Sequence, residues 1–285
     1  MDTGAAGIAG DADFEPVEEI PGPLDAGVVL LCDHARNDLP PAYGALGLSP
    51  EARARHIAYD IGARWLTLRL AARLGAPAVL STFSRLLIDP NRGADDPTLV
   101  MRYSDGAIVP GNARVDAAEI ARRTRLYWRP YRDAAEAKIA AMAAAGRPPA
   151  VVSIHTFTDN WRGFLRPWKI GLLYDRDDRL ARALMRALGQ DGLQPHEIGD
   201  NEPYRGGLKG DTIDALATTR GLANVLIEVR QDLVATKAAA EDWADRLARL
   251  IERIGAVGPE KAAPAQSRPF PCRHGDGLTL QAQPR

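Results

Sequence analysis

Short apolar runs rich in β-branched residues recur along the chain, and each ends in a polar or ionisable residue. Ala150-Val-Val-Ser-Ile-His155-Thr-Phe-Thr158 stops at a histidine, as does Val28-Val-Leu-Leu-Cys-Asp-His34. Val225-Leu-Ile-Glu228-Val-Arg230 carries a glutamate and an arginine at its end. Continuous apolar runs of about four to eight residues read as strands buried on both faces. Further runs at Ala78 to Thr82, Phe83 to Arg92, Lys169 to Tyr174 and residues 193 to 198 read as additional strands.

Between them the pattern changes to helical spacing. Ser49-Pro50-Glu51 opens a helix with a serine cap, a proline in the first turn and an early acid. Ile57, Ile61, Leu66, Leu70 and Leu74 continue it to a capping Gly75. The spacing predicts more helices over Asp116 to Ala145, Asp177 to Gln190, Asp211 to Arg220 and Ala238 to Ile254. Gly93 to Asn112 is a long Gly/Pro/Asp-containing loop, a length that is usually functional or disordered. Alternating strands and helices predict a single α/β domain over residues 26–256, with a mixed, mostly parallel sheet between two helical layers. Residues 1–25 lack periodicity and read as a loose arm, and residues 257–285 as a Pro/Gly/Gln-rich tail.

Composition narrows the partners. Among 285 residues, 46% are hydrophobic and 26% charged, an ordinary globular balance. A net charge of −1 offers no electrostatic case for nucleic acid or a membrane surface. Cys32 and Cys272 make no disulfide framework. The acidic start lacks the features of a signal peptide, and no run is long enough to span a bilayer, which points to the cytoplasm. Oligomeric state is left open.

The chemistry concentrates at strand ends, where open α/β sheets place their ligands. His34 and His155 are far apart in sequence, as catalytic zinc ligands often are; such a site takes three protein ligands. Asp33, Asp38 and Asp60 are candidates for the third, with neutral Asn37 behind them. His56 and Asp60 stand four apart, which on one helix means one face. Glu228 is an acid inside an apolar strand, costly unless paired or at the rim, and so a candidate general base. Asn91-Arg92 joins an amide to a guanidinium, a fork suited to a carboxylate. Nucleotide-binding glycine motifs and the GxSxG elbow are absent.

Taken together, Cys-Asp-His34-Ala-Arg-Asn37, His56-Ile-Ala-Tyr-Asp60, Ser84-Arg85-Leu-Leu-Ile-Asp89-Pro-Asn91-Arg92, Ser153-Ile-His155, Arg166-Pro-Trp-Lys-Ile-Gly, Gly199-Asp-Asn-Glu-Pro-Tyr204 and Ile227-Glu228-Val-Arg230 resemble the N-formylglutamate amidohydrolase family, in the family's order. The resemblance implies a phosphorylase/hydrolase-like fold similar to zinc carboxypeptidases and aspartoacylase. It implies one zinc on His34, His155 and a carboxylate, Glu228 as base, and Asn91 and Arg92 as a carboxylate clamp. Arg166, Asn201 and Tyr204 follow as substrate contacts, and Arg85 or Arg230 as the oxyanion partner. Where relatives often carry a carboxylate ligand three residues after the first histidine, this chain has Asn37, so Asp60 is taken as the third ligand. A histidine common before Arg-Gly-Leu is replaced within Ala215-Leu-Ala-Thr-Thr219.

The expected activity is hydrolysis of the amide of an N-acyl amino acid, N-formyl-L-glutamate first. The alternatives are a deacylase or carboxypeptidase on another acyl amino acid or short peptide, and a non-catalytic small-molecule binder that retains the fold.

Overall fold

The structure, a computed structural model, describes residues 13–146 and 148–255. Seven strands form the central sheet: β1 (Val17–Ile20), β2 (Val28–Cys32), β3 (Ala78–Ser81), β4 (Ala150–Phe157), β5 (Ile170–Leu173), β6 (Ile198–Asp200) and β7 (Asn224–Arg230), in the spatial order β1-β3-β2-β4-β7-β5-β6. β3, β2, β4 and β7 are mutually parallel; β1 pairs antiparallel with β3, and β5 antiparallel with β7. The sheet is therefore mixed and mostly parallel, as expected.

Alternation along the strands sorts side chains between two helical layers. Val28, Leu30 and Cys32, with Val225, Ile227 and Val229, pack against α2 (Ala63–Leu74), α5 (Arg179–Gln190) and α7 (Lys237–Arg253). Val29, Leu31, Val151 and Leu226 face α4 (Arg129–Ala144) and α6 (Thr212–Leu216). The same period of two puts Asp33, Ser153, His155 and Glu228 on this second face, just past its apolar layer. Register places Ser153 opposite Leu31 and Glu228 opposite His155. The sheet thus delivers its polar residues to one edge, at the carboxyl ends of its parallel strands. No helix among the described residues is long and apolar enough to cross a membrane.

Several expectations are corrected. The loose arm of residues 1–25 contains β1, which covers the otherwise open edge of β3. Phe14 beside it packs edge-on against Tyr127. The helix expected from Ser49 to Leu74 is broken into α1 (Pro50–Arg53) and α2. Between them the backbone bonds elsewhere: Asp60 N–H donates to the His34 carbonyl, and the Ala58 carbonyl accepts from Arg85 N–H and Ser84 Oγ. His56 and Asp60 therefore do not share a helix face. Phe83 to Arg92 is not a strand. Three of its N–H groups go to three different loops, at the carbonyls of Asp38, Ala58 and Leu99, and others bond within the segment. Leu86 and Leu87 drop into two different apolar clusters.

The helix expected over Asp116 to Ala145 is interrupted by a π-turn, Thr124–Trp128, between α3 (Ala117–Arg123) and α4. The strand expected at 193–198 is a 3₁₀ turn, Pro195–Glu197, followed by β6. The expected C-terminal tail lies outside the described residues, as does Cys272.

One close approach governs how the polar loop after β6 sits. Gly171 in β5 lies opposite Glu228, and a Cβ there would stand 2.0 Å from the Glu202 carbonyl oxygen. Overpacking of this kind typically costs about 1–3 kcal/mol. Gly171→Ala is expected to lower stability by that amount in chemical denaturation. An unchanged midpoint would mean that the 199–205 loop yields freely.

Candidate active site

Five buried or half-buried side chains form a continuous ladder of alternating acids and bases, ending on Arg85. The Asp33 carboxylate lies 2.9 Å from His155 Nε2, and the other ring nitrogen, Nδ1, is 2.8 Å from Asp60 Oδ2. Asp60 Oδ1 faces His34 Nδ1 at 3.4 Å, and His34 Nε2 is 2.7 Å from Asp89 Oδ1. Asp89 Oδ2 then accepts from Arg85 at 2.8 Å. The two imidazoles meet edge to face with centroids 4.9 Å apart.

The break before α2 is what puts Asp60 here. Its N–H is fixed on the His34 carbonyl, so its carboxylate projects between the two rings. Each histidine gives Nε2 to an outer carboxylate and turns Nδ1 toward Asp60. An N–H held this way on a carboxylate fixes the tautomer and frees the other nitrogen as a ligand. His34, Asp60 and His155 offer ligand atoms that all lie within 4.8 Å of one another. His34 Nδ1 is buried and makes no hydrogen bond. That orphaned nitrogen, with a second imidazole and a carboxylate converging on the same point, fits a zinc-class cation.

Electrostatics supports the fit. Burial alone would raise Asp33, but the hydrogen bond and charge of His155 hold it at about 2. Burial opposes ionisation of Asp60 as well, and His34 and His155 override it to keep Asp60 well below the carboxylate range. Asp89 is held well below its usual value, against burial, by Arg85 and then His34. His155 goes the other way: against burial, Asp33 and Asp60 raise it well above an ordinary imidazole. The cluster carries negative charge that a proton or a bound cation neutralises.

Glu228 stands beside this ladder on β7. It is 6% exposed, and its Oε2 is buried without a hydrogen-bond partner. Burial pushes it up to about 7, partly offset by His155. A carboxylate poised near neutrality and facing a cavity is suited to taking and returning a proton.

The cavity has a volume of about 320 Å³. His34, Asp60, His155, Glu228, Arg85, Asn91, Arg92 and Tyr204 all line it. Asn91 Oδ1 accepts from Thr212 N–H at 3.1 Å, which leaves its NH₂ as the group available to a ligand. Arg92 bonds Thr98 Oγ1 and the Asn91 carbonyl and has no carboxylate partner among the described residues.

The remaining candidates lie elsewhere. Arg230 does not line the cavity: its guanidinium is spent on Asp232 and on the Arg166 carbonyl, because the strand end carries it past the rim. Asn201 is also outside. Its amide oxygen accepts from the Tyr174 and Gly206 N–H groups and shapes the loop. Arg166 stands one layer back, bonded to the Tyr204 hydroxyl at 3.2 Å and stacked near Trp161. Asn37 donates to the Arg53 carbonyl, and Asp38 is an exposed partner of Arg36, so neither approaches the histidines.

Sequence reasoning passed over the outer carboxylates as a pair. Asp33 precedes His34 and Asp89 opens Asp-Pro-Asn-Arg, and both signals were visible, but neither says which histidine each would hold. It also missed Arg205, Asp211 and Trp161 on the cavity wall.

Comparison with known proteins places the chain in a family. The chain resembles the gene product Atu2144 from Agrobacterium tumefaciens, with 34% identity over 86% of this chain and 96% of that one, at a TM-score of 0.79. It shares its fold with the N-formylglutamate amidohydrolase from Ralstonia eutropha JMP134, with 21% identity over 84% of this chain and 98% of that one, at a TM-score of 0.64. No curated protein matches. The model of the N-formylglutamate amidohydrolase family matches residues 26–235, a span that contains the whole ladder and Glu228. The chain therefore belongs to the N-formylglutamate amidohydrolase family.

Proposed function

We propose that this cavity hydrolyses the amide bond of an N-acyl amino acid with one zinc-class cation, and that N-formyl-L-glutamate, giving L-glutamate and formate, is the first substrate to test. The observation that carries the reading is the convergence of His34 Nδ1, His155 Nδ1 and Asp60 beside the unpartnered Glu228 Oε2. A cation on those three residues supplies Lewis acidity, lowering the pKa of water and polarising a carbonyl. Glu228 accepts a proton from the attacking water as oxygen bonds to the acyl carbon. It returns that proton to the nitrogen as the C–N bond breaks, so that acid and free amine leave. Arg85 lines the cavity and approaches Asp60 at 3.6 Å, close enough to stabilise charge developing on the acyl oxygen. Of Arg85 and Arg230, only Arg85 lines the cavity, which supports it in that role.

Asn91 and Arg92 supply an amide and a guanidinium for the substrate's α-carboxylate. Arg205 adds a second guanidinium on the same wall, which favours a dicarboxylate such as an acyl glutamate. Met101, Trp161, Leu173 and Leu226 make another part of the wall apolar. They support the second reading, a deacylase acting on an acyl amino acid with a larger acyl group or side chain. Rates on formyl-, acetyl- and dipeptide substrates separate the two.

Protein purified without added metal is expected to hold one cation per chain by elemental analysis. His34→Ala, His155→Ala and Asp60→Ala should each lose it. Full occupancy in all three would remove the cation from the reading. Glu228→Gln keeps the shape but cannot take the proton, so turnover should fall by about 10²–10⁴ with metal content unchanged. Near-normal turnover would leave Glu228 a structural acid.

The clamp makes its own prediction. Charge-assisted hydrogen bonds contribute about 1.5–3 kcal/mol each, roughly ten- to a hundredfold in kcat/KM. The methyl ester of a good substrate should be poorer than the free acid by that factor. Arg92→Ala should shrink the preference, and Arg92→Lys should restore only part of it, because a point charge cannot form the fork. Equal kcat/KM for acid and ester in the wild type would make Asn91 and Arg92 structural.

A further inference from the structure

Behind the ladder a second set of contacts converges on the first residue of α6. Thr212 is fully buried and bonds in two directions. Its hydroxyl donates to Asp33 Oδ1, and its backbone N–H donates to Asn91 Oδ1. Asp33 Oδ2 is meanwhile shared by His155 Nε2 at 2.9 Å and Ser153 Oγ at 3.0 Å. With both oxygens held, the carboxylate cannot rotate, and the ring it carries cannot swing.

Arg132 settles which way the threonine proton points. The Pro90 carbonyl, 3.2 Å from the hydroxyl, is a competing acceptor. Arg132 Nη1 donates both to that carbonyl and to Thr212 Oγ1, while Nη2 donates to the Gly210 carbonyl. The guanidinium thus occupies the hydroxyl's acceptor side, and a hydroxyl has one proton to give. That proton goes to the ionised acceptor, which makes the stronger bond. Arg132 itself is buried and stacked over Trp128 at 4.6 Å, so the 89–92 and 210–212 segments are held at one spacing.

We propose that Thr212 is a positioning residue for the cation site: its side chain fixes Asp33 and through it the His155 ring, while its main chain separately orients the Asn91 amide. The inference rests on the cation reading above. It divides the residue's two functions between two atoms, so substitution of the side chain should disturb metal binding and leave substrate binding alone. Partners in this position behind a metal-ligating histidine typically control metal affinity by about 10–100-fold.

The test is zinc affinity of the full chain, measured by competition with a chromogenic chelator. Thr212→Val keeps the shape and the N–H but loses the hydroxyl, and zinc should bind about 10–100-fold more weakly. Thr212→Ser should restore the wild-type value. At saturating zinc, the KM for N-formyl-L-glutamate in Thr212→Val should match the wild type, because Asn91 is still held. Thr212→Ala takes the place of the valine variant if that one fails to fold, as judged by circular dichroism. Unchanged zinc affinity in the valine or alanine variant overturns the inference. So does a serine variant as weak as the valine one, which would assign the loss to packing, or a KM that rises together with the zinc Kd. A wild-type protein that binds no zinc is a separate outcome: it overturns the cation reading itself, and this inference with it.

Discussion

Everything at the sheet edge depends on the pairing of buried acids with buried bases. Asp33, His155, Asp60, His34 and Asp89 are all nearly inaccessible to water. A buried charge left unpaired would be expensive, and here each carboxylate faces at least one imidazole while Arg85 closes the far end. The ladder thereby fixes four chain segments against one another: the end of β2, the turn before α2, the loop after β3 and the end of β4. Remove one rung and its neighbours become buried charges without partners. The reactive geometry and the local integrity of the fold are one arrangement.

The sheet was legible because its strands advertise themselves. Val28 to Leu31, Ala150 to Val152 and Val225 to Ile227 are apolar on both faces, as only central strands of a covered sheet can be, and the polar residues that end them had to emerge at its edge. That pattern alone puts His34, His155 and Glu228 at the sheet edge. It could not give the path from Ser49 to Arg92. Ile57, Leu66 and Leu70 have helical spacing, yet the backbone at Ala58 and Asp60 finds better partners in Arg85 and His34 than in its own turn. Likewise Leu86-Leu87-Ile88 looks like a strand because all three are buried, but Leu86 lies in one cluster and Leu87 and Ile88 in another, and the backbone follows no ladder. Periodicity reports how often a side chain is hidden, not which distant carbonyl will claim an amide.

Arginine roles were least legible of all. Arg85, Arg92, Arg166 and Arg230 lie in or near polar turns and Arg132 lies within a helix, and nothing local separates their roles. In the structure Arg85 closes the ladder, Arg132 bridges two loops through their carbonyls, and Arg230 chelates Asp232. The difference arises from a few ångströms of reach and from which carbonyls the loops leave uncovered. A guanidinium with five donors is recruited by whatever acceptors lie nearest.

The two carboxylates that hold His155 lie 95 and 122 residues away from it along the chain. No short contiguous fragment contains His34, Asp60 and His155 with their supporting carboxylates, and parallel pairing of β2 with β4 must close a long loop first. Contacts of such separation are slow to form because chain entropy is spent before they reward it. A zinc-class cation bound as proposed would therefore find its full set of ligands only on the completed fold. It would act at the end of folding, drawing the completed state down by mass action, about 2.7 kcal/mol at a hundredfold excess over its dissociation constant. On that proposal, the supply of free cation would bear on how long the folded state persists as well as on turnover.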